Sequence, residues 1–198
     1  MTLEFVVRAC ESAEEAREAQ DMDDRLWNNG YQHYEWLYNK NPELLLILAD
    51  TGTNRFLGYV GVEQFNESDL SVGYAAEPLL SKSMPGWDHV PEEWHKNDGN
   101  VYHITGGGVM PEAFREGGWQ FLMEALYAQA RERGMVMVAT TFNLRHGKVL
   151  NPLHAWGSVG MEPLLNTYDP NWMRTGTSPR KKETYDGSII WAKKLTEQ

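Results

Sequence analysis

Strands alternate with helices through most of the 198 residues, so the sequence predicts an α/β chain. Three observations carry this expectation. Two apolar runs, Leu44–Ala49 and Phe56–Phe65, flank the short turn Asp50-Thr51-Gly52-Thr53-Asn54 and read as strands. The stretch from Val101 to Met161 reads strand, glycine-rich turn, amphipathic helix, strand, short helix. Phe5–Ala9 and Ser188–Ala192 supply a first and a last strand.

Each element has its own signal. After Phe5–Ala9, Ser12-Ala13-Glu14-Glu15 forms a capping-box pattern that opens a helix running to about Leu26. Residues 31–38 read as a second helix. In Val101–Met110, Val101, His103 and Thr105 point one way and Tyr102 and Ile104 the other. Gly106, Gly107 and Gly108 weaken that strand and mark a bulge or a close backbone approach. Pro111 ends the pairing because it has no N–H. Gly117 and Gly118 then precede a helix whose buried stripe is Leu122, Ala125, Leu126 and Ala130. Arg131 and Arg133 suit its last turn, and Gly134 suits the C′ position. Met135–Asn143 is the next strand, and Asn151–Met161 the short helix.

Two segments stand apart. Residues 67–100 carry prolines and glycines, with Trp87 and Trp94 among acids and histidines. They read as an insertion beside an acceptor site, or as a surface loop packed by its own tryptophans. Residues 166–182 form a second loop, containing Trp172 and ending in basic residues.

Bulk properties narrow the function classes. The length suits one domain with a sizeable core. No segment approaches the ~20 apolar residues of a membrane span, and the N-terminal residues lack a basic region followed by an apolar run. A single cysteine, Cys10, excludes an intrachain disulfide and fits a reducing, cytoplasmic setting. It reads as a small buried residue rather than a nucleophile. With 28 acidic and 18 basic residues the net charge is −10, which disfavours nucleic acid as a partner. His89, His95, His146 and His154 share no metal-ligand spacing, so no metal site is expected.

The turn Val109-Met110-Pro111-Glu112-Ala113-Phe114-Arg115-Glu116-Gly117-Gly118-Trp119-Gln120 sets backbone N–H groups without side-chain bulk at a helix N-terminus. That is an anion site suited to a pyrophosphate. A plain strand-to-helix turn needing positive φ accounts for the same glycines.

The order of elements, with Arg115 and Gly118 in this turn, resembles the acyl-CoA-binding core of the GCN5-related N-acetyltransferase (GNAT) superfamily. The family pattern there is Gln or Arg, two residues, Gly, one residue, then Gly or Ala. Arg115 and Gly118 fill the first two positions, while Gln120 takes the place of the last small residue. One extra residue separates Pro111 from Arg115. Trp36-Leu37-Tyr38-Asn39-Lys40-Asn41-Pro42 resembles a Trp-x-Tyr-x-x-Asn-Pro element of one subgroup. Trp156 stands where the final helix of the family commonly has a Tyr acid, and indole N–H is no general acid near neutral pH.

The resemblance implies a single domain, 1–198, interrupted by the insertion at about 67–100. Its core would be a central mixed, mostly antiparallel sheet flanked by helices. It implies acetyl-CoA or another acyl-CoA as co-substrate, held by Val109, Met110, Arg115, Glu116, Gly117, Gly118, Trp119, Gln120, Asn143 and Asn151. The acyl group would pass directly to an amine of a small molecule or peptide, with an oxyanion donor near Val109. Glu63, which breaks an apolar alternation, and His103, a residue type whose free side chain titrates near neutral pH, are the candidate bases. A solvated strand Glu and a structural His are the ordinary readings of both. A homodimer is compatible with the resemblance. The departures at Gln120 and Trp156 leave two alternatives open: the same fold with another donor or a nucleobase substrate, and a non-catalytic binding protein.

Overall fold

The structure is a computed structural model that describes residues 3–27, 34–66, 98–143, 155–163 and 188–195. Its elements fall into two compact units, Met1–Glu63 with Ile104–Gln129 and Gln64–His103 with Ala130–Gln198.

The first unit is built on β2 (Leu45–Asp50), whose five apolar residues are all buried. It pairs antiparallel with β1 (Phe5–Ala9), setting Val7 opposite Leu48. On its other side it pairs antiparallel with β3 (Phe56–Asn66), setting Ile47 opposite Tyr59, with a register shift at Leu48/Ala49. Around these strands lie α1 (Ala13–Trp27), α2 (Tyr34–Lys40) and a 3-10 turn at Pro42–Leu44 capped by Asn41.

Helix α1 starts as the capping pattern predicts, with Glu15 N–H donating to Ser12 Oγ at 3.2 Å. The reciprocal half differs from a full capping box. The Glu15 carboxylate accepts from Glu11 N–H at 2.8 Å and from Arg8, because that guanidinium lies within reach and binds it with both nitrogens. Ala16, Ala19 and Met22 form the buried stripe, joined by Gln20 and Asp23.

Strand β4 (Asp98–Val109) runs from the second unit into the first and passes through Gly106, Gly107 and Gly108 without ending. Its start at Asp98 shortens the expected insertion, of which 67–97 lies outside the described residues. After Pro111 the chain does not stay irregular. Pro111–Arg115 is a helix, α3, with proline in its first turn, where a missing N–H costs nothing. Helix α4 (Gly118–Glu132) follows and buries Trp119, Leu122, Met123, Leu126, Tyr127 and Ala130, while Ala125 lies at the half-buried edge of the stripe. Gly134, at φ +72, ends it. Its N–H donates to Arg131 O and Met135 N–H donates to Ala130 O, both at 2.9 Å, the paired bonds of a Schellman motif.

In the second unit β5 (Met137–Asn143) pairs antiparallel with β7 (Ser188–Lys194), Thr140 opposite Trp191. The two-residue β6 (Glu162–Pro163) pairs on the far side of β7. The strand order is β1-β2-β3-β4-β5-β7-β6. Neighbours β4 and β5 are joined through α3 and α4, the crossover that parallel strands need, so the sheet is mixed and mostly antiparallel.

Candidate functional site

Gly106, Gly107 and Gly108 of β4 are each a place where another element comes close. A Cβ at Gly106 would collide with the Tyr34 hydroxyl and lie 2.7 Å from Asp23 Oδ1. At Gly107 it would meet the Trp119 ring at 3.2 Å, and at Gly108 it would collide with Leu26 Cδ1. The strand lacks side chains here because α1, α2 and α4 supply them.

At Gly106 lies a group that no motif in the sequence announces. Asp23, only 4% exposed, accepts from Tyr59 OH at 2.5 Å and Tyr34 OH at 3.0 Å on one carboxylate oxygen. Both phenols are held well above the usual tyrosine range, by burial first and then by the charge and hydrogen bonding around Asp23. They therefore remain donors. The two rings meet edge to face at 5.0 Å.

The turn after β4 accounts for its own N–H groups in a way that narrows the anion site. Met110 N–H donates to Leu57 O at 2.7 Å. Glu116 N–H donates to Ala113 O and Gly117 N–H to Phe114 O, each at 3.2 Å. The α4 ladder opens with Phe121 N–H donating to Gly117 O. Ahead of that first intrahelical bond stand the N–H groups of Gly118 and Gln120, at the positive end of a helix dipole. The bonds within the turn thus leave only the first turn of α4, not the whole Arg115–Gln120 turn, for the expected anion site. Gly117 takes φ +85, with nothing within 4 Å of a Cβ there. Gly118 is tight for another reason: its Cβ would lie 2.9 Å from Ala113 O and 3.0 Å from Leu48 Cδ2.

The side chains divide. Arg115 is exposed, and its Nε donates to Pro111 O at 3.2 Å. The Glu116 carboxylate accepts from Leu3 N–H at 2.9 Å. Trp119 is buried against Gly107. Gln120 is half-buried, and its Oε1 is enclosed without a partner among the described residues. Val109 ends β4 and Asn143 ends β5, whereas Asn151 lies outside the described residues.

Glu63, in the first unit, is 6% exposed, and His103, in the second, 1%. Glu63 is therefore not on a solvated face. Trp156 is also buried. Cys10 is buried with its Sγ donating to Ser12 O at 3.2 Å, and desolvation pushes its thiol up to about 11. Trp87, Trp94, Trp172 and the histidines at 89, 95, 146 and 154 lie outside the described residues. Among the described residues no three His, Cys, Asp or Glu side chains gather as metal ligands, and no helix is long and apolar enough to cross a membrane.

The arrangement of strands and helices is the fold of the GNAT acetyltransferases. Ard1 from Thermoplasma volcanium is similar over 98% of this chain and 99% of its own, with TM-score 0.60 and 13% identity. A mosquito arylalkylamine N-acetyltransferase, like 5b, is similar over 97% of this chain and 100% of its own, with TM-score 0.60 and 14% identity. The GNAT family N-acetyltransferase YhbS from Escherichia coli, solved in complex with CoA, is similar over 99% of this chain and 84% of its own, with TM-score 0.54 and 12% identity. No family model matches the chain, and no curated protein matches its sequence. At these identities the likeness is one of fold.

Proposed function

We propose that the chain is an N-acyltransferase that moves an acyl group from acyl-CoA directly to an amine. The observation that carries this reading is the first turn of α4, where the N–H groups of Gly118 and Gln120 precede the first helical bond, just after the positive-φ hinge at Gly117. Such a nest suits a pyrophosphate. Acetyl-CoA is the simplest donor, and a small-molecule or peptide amine the acceptor. In the transfer the amine nitrogen bonds to the thioester carbon, the ammonium proton passes to a base, and the carbon–sulfur bond breaks. We assign the base to Glu63 or His103 and the oxyanion donor to the backbone near Val109. Met110 N–H is already committed to Leu57. With Trp156 in place of a Tyr, the thiolate leaves unprotonated or takes its proton from water, tolerable for a thiol of pKa about 8.5.

Calorimetry with acetyl-CoA tests the reading. Gly118→Asp is unsuitable, since its Cβ alone would disturb Ala113 and Leu48. Gln120→Glu is near-isosteric and suits the dipole at a helix start, yet sets a negative charge against the phosphates. It should weaken acetyl-CoA binding by roughly tenfold, the order of ~1.4 kcal/mol of charge repulsion. Equal affinity in wild type and variant means the nest is not the site. With an acceptor in hand, Glu63→Gln and His103→Ala identify the base by a loss of roughly 10²–10⁴-fold in rate.

A second reading, a binding protein without catalysis, is favoured by the internal packing that already explains Gly106, Gly107, Gly108 and Gly118. Tight acetyl-CoA binding with no turnover of any amine would select it.

A further inference from the structure

We propose that β1 is the contact strand of a homodimer, pairing antiparallel with β1 of a second copy about a two-fold axis at Val7. Strand β1 stands at the end of the strand order and pairs with β2 alone. Its backbone groups divide by alternation. Thr51 N–H donates to Glu4 O at 2.7 Å, and Cys10 N–H donates to Leu45 O at 2.8 Å. In the same register Val6 and Arg8 also turn their groups toward β2. Leu3, Phe5, Val7 and Ala9 turn theirs the other way. Leu3 N–H is closed by the Glu116 carboxylate, and Ala9 O accepts from Arg8 Nη1 at 3.4 Å. Phe5 and Val7 keep both groups, and Ala9 its N–H, without a partner among the described residues.

Edge strands are ordinarily guarded by an outward charge, a proline or a bulge. Phe5-Val6-Val7-Arg8-Ala9 has no proline, and its register with β2 runs unbroken. Its one charge, Arg8, is turned to Glu15 and only 17% exposed, so it guards nothing. An apolar shelf stands open beside the edge, where the Phe121 ring, 43% exposed, meets the Phe5 ring at 5.8 Å. The open groups fit a second copy of the same strand. With Val7 opposite Val7, each valine donates to and accepts from the other, and Phe5 falls opposite Ala9. Phe5, with Phe121 against it, thus meets the smallest side chain of the strand. This register is complete within Phe5–Ala9. Moving the axis one residue, to Val6, would set Ala9 opposite Leu3, whose N–H is already taken by Glu116.

Sedimentation equilibrium on the full chain, from about 1 μM to about 200 μM, measures the association. The wild type should pass from monomer to dimer within that range, because a five-residue strand pair is small beside the roughly 20–30 residues a side of a standard interface. Val7→Pro removes an N–H that faces away from β2 and leaves the bonds to β2 in place, so it should stay monomeric. Val7→Cys should form an intermolecular disulfide on oxidation, since the Cα atoms of a hydrogen-bonded pair lie about 5.5 Å apart. Cys10 is buried and does not compete. A wild type that is monomeric throughout, or a dimer that Val7→Pro leaves intact, overturns the proposal. If Val7→Pro fails to fold, Val7→Cys decides: a dimer that forms no disulfide there is joined elsewhere, and the proposal falls.

Discussion

Asp23 joins α1, α2 and β3 through one buried carboxylate oxygen. Two buried phenols donate to one of its oxygens, and the β4 backbone at Gly106 packs against Asp23 and Tyr34. Asp23→Ala should leave both phenols unsatisfied, at about 1–3 kcal/mol each, so urea unfolding should lose roughly 3 kcal/mol or more. Asp23→Asn keeps an accepting oxygen and should lose clearly less. Equal losses would mean that the charge, and not the shared acceptor, matters. The sequence hides this group. Asp21-Met22-Asp23-Asp24 reads as a solvated helix face, and only the inward turn of Asp23 toward Tyr34 and Tyr59 distinguishes it from its neighbours. Glu63 was legible because it interrupts an apolar strand. Gln120 was legible as a departure from a motif, but its enclosed carbonyl was not, since that depends on packing. Leu26 carried no signal at all beyond its apolar character.

At the scale of elements, the start of α1 carries a pH dependence. Arg8 holds the Glu15 carboxyl below the usual range, helped by Glu11 N–H. A depressed acid contributes stability above its unfolded pKa, about 4.3, and loses it as pH falls through the lower folded value. The pair is mostly shielded, with side chains 17% and 18% exposed. Glu15→Gln should cost about 1–3 kcal/mol at pH 7, and the gap to wild type should close as pH drops below about 4. A gap that persists unchanged to pH 2 would show that the carboxylate charge is not its source. The strands β1, β2 and β7 were legible from apolar runs bounded by turns, and α4 from its stripe and its glycine stop. Helix α3 was not, because five residues are too few to display a helical period. Met135 and Val136 read as strand but belong to the Schellman end of α4 and the entry to β5, where Met135 N–H is taken by Ala130 O.

Across the whole molecule, the order of elements carried the fold and the motifs did not. At 13% identity with Ard1 over almost the full length, what the chains share is the succession of buried strands and helices, which many side chains satisfy. The proposed anion nest follows from that succession, since a helix that restarts after a glycine hinge, as α4 does after α3 at Gly117, leaves its first N–H groups ahead of its ladder. What decides occupancy is the charge set beside them. There the bond between Leu3 N–H and Glu116 matters, spanning 113 residues. It holds a carboxylate one residue from the positive-φ hinge at Gly117, aimed at the first strand. Leu3→Pro removes that donor and should weaken acetyl-CoA binding several-fold by calorimetry, with Glu116→Gln in the same background restoring it; no restoration would acquit the carboxylate. The entry to β1 thus acts as a counterweight at a hinge far along the chain: a change at Leu3 is felt beside Gly117.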